Sequence, residues 1–439
     1  MPEAEAPMKK TTSVKSTRAA RNVRDVVRTM YSRAHEAKAQ GRPVAYCMAG
    51  CWYNEMLVAM DITPVWTENY AGLCAVKHDA ERFLLKAEAD GYSNVICGYT
   101  RIGLGFDAMR RELGMMPPDP ADGGMPEPDL LLGCSGVCDP RFKWYQSLGH
   151  YKNTPVHCHD IVVPPTDANL AEAAPYYVAY QVEEFRNLIA FLEKHTGKKM
   201  DYAKLSHHLA ISDEIYQTWW DIDQLRRAIP SPMASEDHFT IFVPGLFRLG
   251  EQETLDFYRE LYAEVKERVD NKVGVIPEEK YRLMWAGGLP PWHTMWMFNH
   301  FQSMGAVFAI ENAYFGWEPF EIPVGVDKPL EHLAWRIFQL FTLNYEKARK
   351  GSGNPTVERL LRMVREFQID GLVMHATISC RSFTIGQISL RNMINEHIKI
   401  PCLFLTSDMV DLRDYSEAEW RMQIDSFMET VRAHKSSRY

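Results

Sequence analysis

Two blocks of short apolar runs, each run set between helix-like stretches, constrain this chain more than any other feature. In the first block the runs fall at residues 44–48, 62–66, 94–97, 129–133 and 155–163, with helical patterns over 22–40, 55–60, 78–90, 106–113 and 140–148 between them. Runs this short, with little polar alternation, suit strands buried on both faces, and their alternation with helices predicts parallel βαβ units. From about residue 175 the pattern changes to long helical stretches over 175–194, 202–228 and 249–270, with little strand signal. The alternation then returns: strands at 282–285 and 306–311 around a helix at 294–304, then 357–367, 371–375, 385–397 and 401–406, and a last helix over 416–434. The expected fold class is α/β, with two Rossmann/flavodoxin-like parallel-sheet lobes joined by a helical clasp. The expected divisions are a disordered basic arm at 1–24, a first lobe at 25–174, the clasp at 175–280 and a second lobe at 281–439.

Bulk properties exclude several classes. A hydrophobic fraction of 46% and a charged fraction of 24% describe a globular chain with ample core material. A net charge of -8 argues against a nucleic-acid binder, which shows a basic face. No apolar stretch approaches the ~20 residues that span a bilayer, and the polar, basic start lacks the apolar segment of a secretory signal. Nine cysteines without dense, regular spacing do not form a secreted disulfide scaffold. These features point to the cytoplasm, with reduced thiols kept for metal or packing.

Three of those cysteines follow or close strand-like runs: Cys97 after Asn94-Val95-Ile96, Cys138 in Cys134-Ser135-Gly136-Val137-Cys138-Asp139, and Cys380 beyond Gly371-Leu372-Val373-Met374-His375. The carboxyl ends of strands in open α/β sheets converge on one crevice. Three thiolates gathered there can hold an iron–sulfur cube, leaving one iron open to another ligand. A single free cysteine is ordinarily a small buried hydrophobe, but three at strand-to-loop junctions beside Gly or Ser weaken that reading. Cys134 with Cys138, and Cys47 with Cys51, are four apart, and this spacing alone matches no zinc finger or ribbon. His157-Cys158-His159 lies on a buried-strand pattern and reads as packing. His375, which ends a strand upstream of Cys380, is a further candidate for proton transfer, set against the plainer reading of a core or loop histidine. Glu55 opens a helix just after the first strand, where the helix dipole favours a carboxylate. It is either a solvated cap or a proton-handling group in the crevice. Gly287-Gly288 suits the close passage of a phosphate or acyl ligand, yet matches neither a Walker A loop nor a dinucleotide fingerprint, so the chain itself is expected to hydrolyse no ATP and bind no NAD.

These residues resemble the 2-hydroxyacyl-CoA dehydratase D-component family, most closely its B-type subunits of ATP-dependent benzoyl-CoA reductases. The likeness runs from about Val44 to Val431. Tyr53-Asn54-Glu55-Met56 through Ile62-Thr63-Pro64-Val65 looks like the family's first helix and strand, with Asn54 where many members carry Pro. Arg282-Leu283-Met284-Trp285-Ala286-Gly287-Gly288-Leu289-Pro290 and Met304 to Phe308 resemble its second-lobe signature. Ile400-Pro401-Cys402-Leu403 with Ser407-Asp408 resembles its closing segment.

The resemblance implies that Cys97, Cys138 and Cys380 hold a [4Fe-4S] cluster, with Cys134 as an alternative ligand and Glu55 as the catalytic candidate for proton transfer. It implies a division of labour. ATP-hydrolysing activator subunits, fed by ferredoxin, send low-potential electrons to this chain and a related cluster-bearing subunit. Together those two form the site for two-electron reduction of benzoyl-CoA, or another aryl-CoA, to cyclohexa-1,5-diene-1-carbonyl-CoA. The rival readings are a subunit of a 2-hydroxyacyl-CoA dehydratase and a non-catalytic scaffold. No nucleic acid and no membrane enter any of them.

Overall fold

A computed structural model describes residues 13–314 and 318–437. Of the basic arm expected over 1–24, residues 1–12 lie outside the described residues. The first helix, expected from residue 22, is Arg18–Ala39; it starts earlier because the Thr17 side chain accepts from the Ala20 N–H as its cap. The backbone N–H groups of Ser16 and Thr17 donate to the buried Asp237 carboxylate, tying this entry segment to a later helix.

One sheet holds β1 (Val44–Cys47), β2 (Thr63–Trp66), β3 (Leu130–Cys134) and β4 (Val156–His159). The other holds β5 (Tyr281–Gly287), β6 (Ala306–Glu311), β7 (Gly371–Thr377) and β8 (Cys402–Ser407). Every pairing is parallel. Both sheets share one order, β2-β1-β3-β4 and β6-β5-β7-β8. β1, β3 and β6 are buried along their whole length, which is why they read as unbroken apolar runs. The shared order places a switch point between β1 and β3 in one lobe and between β5 and β7 in the other, where crevices open at the carboxyl ends of strands.

One expected strand is not formed. Residues 94–97 are a turn, because Ser93 and Asn94 favour turns and Val95 is 65% exposed, with nothing to bury it. Between β4 and β5 run the helices Leu170–Thr196, Tyr202–Leu225, Ser235–Phe247 and Gln252–Asp270. They engage both lobes: Tyr202–Leu225 packs on the helix Asn54–Ala59, and Leu170–Thr196 packs on the helix Pro329–Thr342. Arg226, at the end of Tyr202–Leu225, makes two bonds of 2.7 and 2.6 Å to Glu311 at the end of β6 and one of 3.0 Å to Asp223. One apolar core runs through both sheets and these helices, and a second packs Pro355–Glu366 against the second sheet. Gly288, expected to admit a phosphate or acyl ligand, instead admits the His375 carbonyl, which a Cβ would strike. No helix among the described residues is long and apolar enough to cross a membrane.

Candidate metal centre

Each of the three cysteines caps the start of a helix: Cys97 that of Gly98–Leu113, Cys138 that of Asp139–Lys152, and Cys380 that of the short Arg381–Thr384. Cys138 follows β3 and Cys380 follows β7, the equivalent strands of the two sheets. Cys97 arrives from the turn at 94–97 rather than from a strand. Two hydrogen bonds join the neighbourhoods across the seam between the lobes. The Gly98 N–H donates to Ser379 Oγ at 2.9 Å, and Ser382 Oγ donates to the Val137 carbonyl at 3.3 Å. The residues beside Cys97 and Cys138 are thus both pinned to the loop that carries Cys380. The three thiols lie close enough to act on one another's charge.

Burial pushes all three thiols above their ordinary value, Cys138 to about 11. The backbone N–H groups of Thr100, Arg141 and Phe383 oppose it, as the first turn of a helix does for a thiolate. The sulfurs are not drawn together as one tetrahedral ion would draw them, to about 3.8 Å. Among the described residues, the trio whose ligand atoms do lie within 4.8 Å is Asp223, His238 and Glu311. There the Arg226 guanidinium already occupies the Glu311 carboxylate, so the trio is an ion network.

Asp408 acts on Cys380, and Glu68 is a carboxylate whose charge reaches all three cysteines. Glu68 sits in the first turn of Thr67–Val76, accepts from the Ala49 N–H at 2.8 Å, and pairs with Arg141 at 3.2 Å. Sequence reasoning overlooked both Glu68 and Arg141; the available signal was an acidic residue in the first turn after a strand. Glu55 lies elsewhere. It is fully buried and paired to Arg336 at 2.6 Å, and Arg336 also holds Asp213 at 2.9 Å.

Cys51 and Cys134 form a pair of their own. Arg141 reaches both sulfurs, at 3.9 and 4.0 Å, and donates to the Ala49 carbonyl. A hydrogen bond from the Cys51 thiol, helped by Arg141, outweighs burial and holds the Cys134 thiol down to about 6. Cys47 is buried on β1. His159 stacks on Phe185 at 4.9 Å and meets Gln181 at 2.7 Å, which fits packing for the His157-Cys158-His159 run. His375 is buried between the Leu289 carbonyl and Ser407 Oγ, and burial lowers it to about 4. None of the nine cysteines is in a disulfide.

An aromatic wall stands beside the trio. Phe242 stacks on Tyr314 with ring centres 4.3 Å apart and on Trp292 at 6.0 Å. The Trp292 indole N–H donates to the Tyr99 hydroxyl. Tyr99 in turn bonds to Tyr314, whose hydroxyl feels the charge of Cys380. The chemistry open to this arrangement is that of soft thiolate ligands beside one carboxylate and a relay of hydroxyl donors, in a site walled by flat apolar rings.

The family described as 2-hydroxyglutaryl-CoA dehydratase, D-component, matches residues 51–431. The chain is 25% identical over 431 residues to the (R)-phenyllactyl-CoA dehydratase alpha subunit of Clostridium sporogenes, covering 97% of this chain and 98% of that one. It is 25% identical over 418 residues to the (R)-2-hydroxyisocaproyl-CoA dehydratase alpha subunit of Clostridioides difficile, covering 94% and 96%. It is 24% identical over 433 residues to a benzoyl-CoA reductase subunit of Thauera aromatica, covering 94% of each. Identities this close to one another do not choose between dehydration and reduction.

Proposed function

Given that the chain belongs to the 2-hydroxyglutaryl-CoA dehydratase D-component family and is an enzyme subunit of the acyl-CoA dehydratase and reductase type, we propose that it is the iron–sulfur subunit of an ATP-dependent aryl-CoA reductase. With a related cluster-bearing subunit it forms the site where benzoyl-CoA takes up two electrons and two protons to give cyclohexa-1,5-diene-1-carbonyl-CoA. The observation that carries this reading is the meeting of three helix-capping cysteines with a wall of Phe242, Tyr314, Trp292 and Tyr99. Three soft donors at a seam, spaced wider than one ion allows, fit a cluster with one iron left without a cysteine.

Cys97, Cys138 and Cys380 would hold a [4Fe-4S] cluster, which would supply single electrons; such centres reach no lower than about −700 mV. That floor is why ATP-hydrolysing activator subunits, drawing on ferredoxin, belong to the assembly. The chain's own residues do the rest. The aromatic wall stacks a flat aryl group and excludes water, so that charge placed on the ring is not quenched at random. Glu68, fixed by the Ala49 N–H and Arg141, places a carboxylate oxygen beside the cysteines, where it can pass a proton between solvent and a reacting group. The donor chain from Trp292 through Tyr99 ends on the Tyr314 hydroxyl, a donor for a thioester oxygen gaining negative charge.

Exposed apolar side chains ring the trio: Val95, Val137, Ile378, Phe383, Ile385 and Ile388. A patch of this kind supports a partner subunit closing over the cysteines. Nine cysteines outside any disulfide agree with a reducing cytoplasm. The second reading, a 2-hydroxyacyl-CoA dehydratase subunit, is favoured by the dehydratase alpha subunits that match at 25% identity. ATP stoichiometry in the assembled complex separates the two. Reduction consumes ATP at every turnover of benzoyl-CoA to the diene. Water elimination from a 2-hydroxyacyl-CoA, with ATP needed only to start the reaction, replaces the reductase reading with the dehydratase one.

A further inference from the structure

Asp408 is a buried acid directly after β8 that the proposed chemistry does not use. Its side chain accepts four hydrogen bonds. Oδ1 takes the N–H groups of Val410 at 2.9 Å and Asp411 at 3.1 Å. Oδ2 takes the Ser379 N–H at 3.3 Å and the Ser379 hydroxyl. Four converging donors suit an ionised carboxylate, which offers acceptors only. Two of these bonds set Asp408 between cysteines of different lobes. Ser379 precedes Cys380, and its Oγ also accepts from the Gly98 N–H at 2.9 Å. Gly98 follows Cys97 and lies so close that a Cβ there would be 2.6 Å from Asp408 Oδ1. A short chain of bonds thus runs from the residue beside Cys97, through Ser379, to Asp408.

The charge on Asp408 is not offset, and this separates it from the other acids nearby. Glu68 pairs with Arg141, and Asp411 pairs with Arg101 and Arg413. Among the described residues Asp408 has no such cation. His293 bonds its backbone carbonyl at 2.9 Å, not its side chain, and burial lowers that imidazole below its ordinary value. The Asp408 charge adds to burial in raising the Cys380 thiol. Out of water such a charge is poorly screened and acts strongly on its neighbours.

We propose that Asp408 is a positioning residue for the iron–sulfur centre: through Ser379 it sets Cys380 against Cys97 across the seam, and its charge holds the potential of the centre down. The assignment rests on the cluster reading above and deepens it. Charge and hydrogen bonding around the ligands tune such centres. A carboxylate close to one ligand and one residue from another opposes an added electron, which is the direction that reduction of an aryl thioester needs. A residue that merely capped the turn after β8 would use the Val410 and Asp411 bonds and leave the potential alone.

Two variants of the anaerobically purified complex separate position from charge. Asp408→Asn removes the charge at nearly constant shape. It is expected to keep its iron and to raise the midpoint potential, followed by paramagnetic resonance during reductive titration. The ratio of reduced to oxidised centre at a fixed poise should rise at least about tenfold, which is about 59 mV for one electron. Should Asp408→Asn fail to fold, the smaller neutral variant Asp408→Ser gives the same reading. Ser379→Ala keeps the charge and cuts the link. It is expected to speed iron loss to a chelator, and exchange of the Gly98 amide hydrogen, at least about tenfold, with the smaller change in potential. Native potential in the neutral variants, or native iron release and Gly98 exchange in Ser379→Ala, overturns the assignment and leaves the cluster reading standing. An unmodified complex that carries no iron overturns both.

Discussion

Each of Cys97, Cys138 and Cys380 brings one sulfur to the seam, and the nearest other thiols are already engaged: Cys134 faces Cys51 and Arg141. Replacing any of the three by Ala is therefore expected to take anaerobically purified protein from about four irons per chain to near none. Cys134→Ala should keep the iron. Iron and an unchanged paramagnetic signal in any of the first three variants would move the ligand set. Gly98, beside Cys97, makes a second residue-scale case. A Cβ there would lie 2.5 Å from Val410 Cγ2 and 2.6 Å from Asp408 Oδ1. Asp408 cannot swing away, since it accepts from the N–H groups of Val410 and Asp411 and from Ser379. Gly98→Ala should destabilise the fold by about 1–3 kcal/mol, read as a lower denaturant midpoint. The cysteines were legible because sulfur at a loop junction has few uses. Glu68 was not, because its value comes from Ala49 and Arg141, residues far from it in sequence whose approach no local pattern records.

The elements that meet at the seam are locked by charge as well as packing. Arg101, on the helix capped by Cys97, bonds Glu88 at 2.8 Å and Asp411 at 3.1 Å, and Arg413 bonds the same two carboxylates. Burial alone would raise Asp411. Its hydrogen bonds from Arg413 and Arg101 outweigh that and hold it at about 2, below its ordinary 3.8. A depressed carboxylate adds stability that is complete above its unfolded value and lost as pH falls toward its folded one. The difference in stability between the native chain and Asp411→Asn should thus be constant above about pH 5 and narrow as pH drops from near 4 toward 2. Denaturant midpoints measured across that range check it; a gap that widens on acidification contradicts the lock. The strands at the switch points were legible as apolar runs, and the turn at 94–97 was not. Val95 and Ile96 are β-formers by type, yet Ser93 and Asn94 before them impose a turn that leaves Val95 in solvent.

At the scale of the whole molecule, two sheets of identical order are joined so that Cys138 and Cys380 occupy matching positions, each after the strand third in its lobe's chain order. Alternation of strand and helix signals foretold the two parallel lobes. It did not foretell that Cys97 would come from the first lobe's turn to complete the trio, nor the helix Ser235–Phe247, whose Pro244 and Gly245 disguise it. The same geometry leaves the trio at an edge, and the edge is greasy: Ile385, in the break between Arg381–Thr384 and Gln387–His397, is 79% exposed, and Ile388, in the first turn of the second of these helices, 62%. Large aliphatic side chains this exposed beside a functional centre call for a covering surface. Ile385→Lys with Ile388→Lys should leave the fold and the iron of the isolated chain intact, because neither side chain enters either core. The pair should weaken assembly with the partner subunit at least about tenfold, with catalysis lost to the same degree and restored by raising the partner's concentration. Measured assembly that is indifferent to both charges would place the partner on another face and leave the proposed metal centre open to solvent.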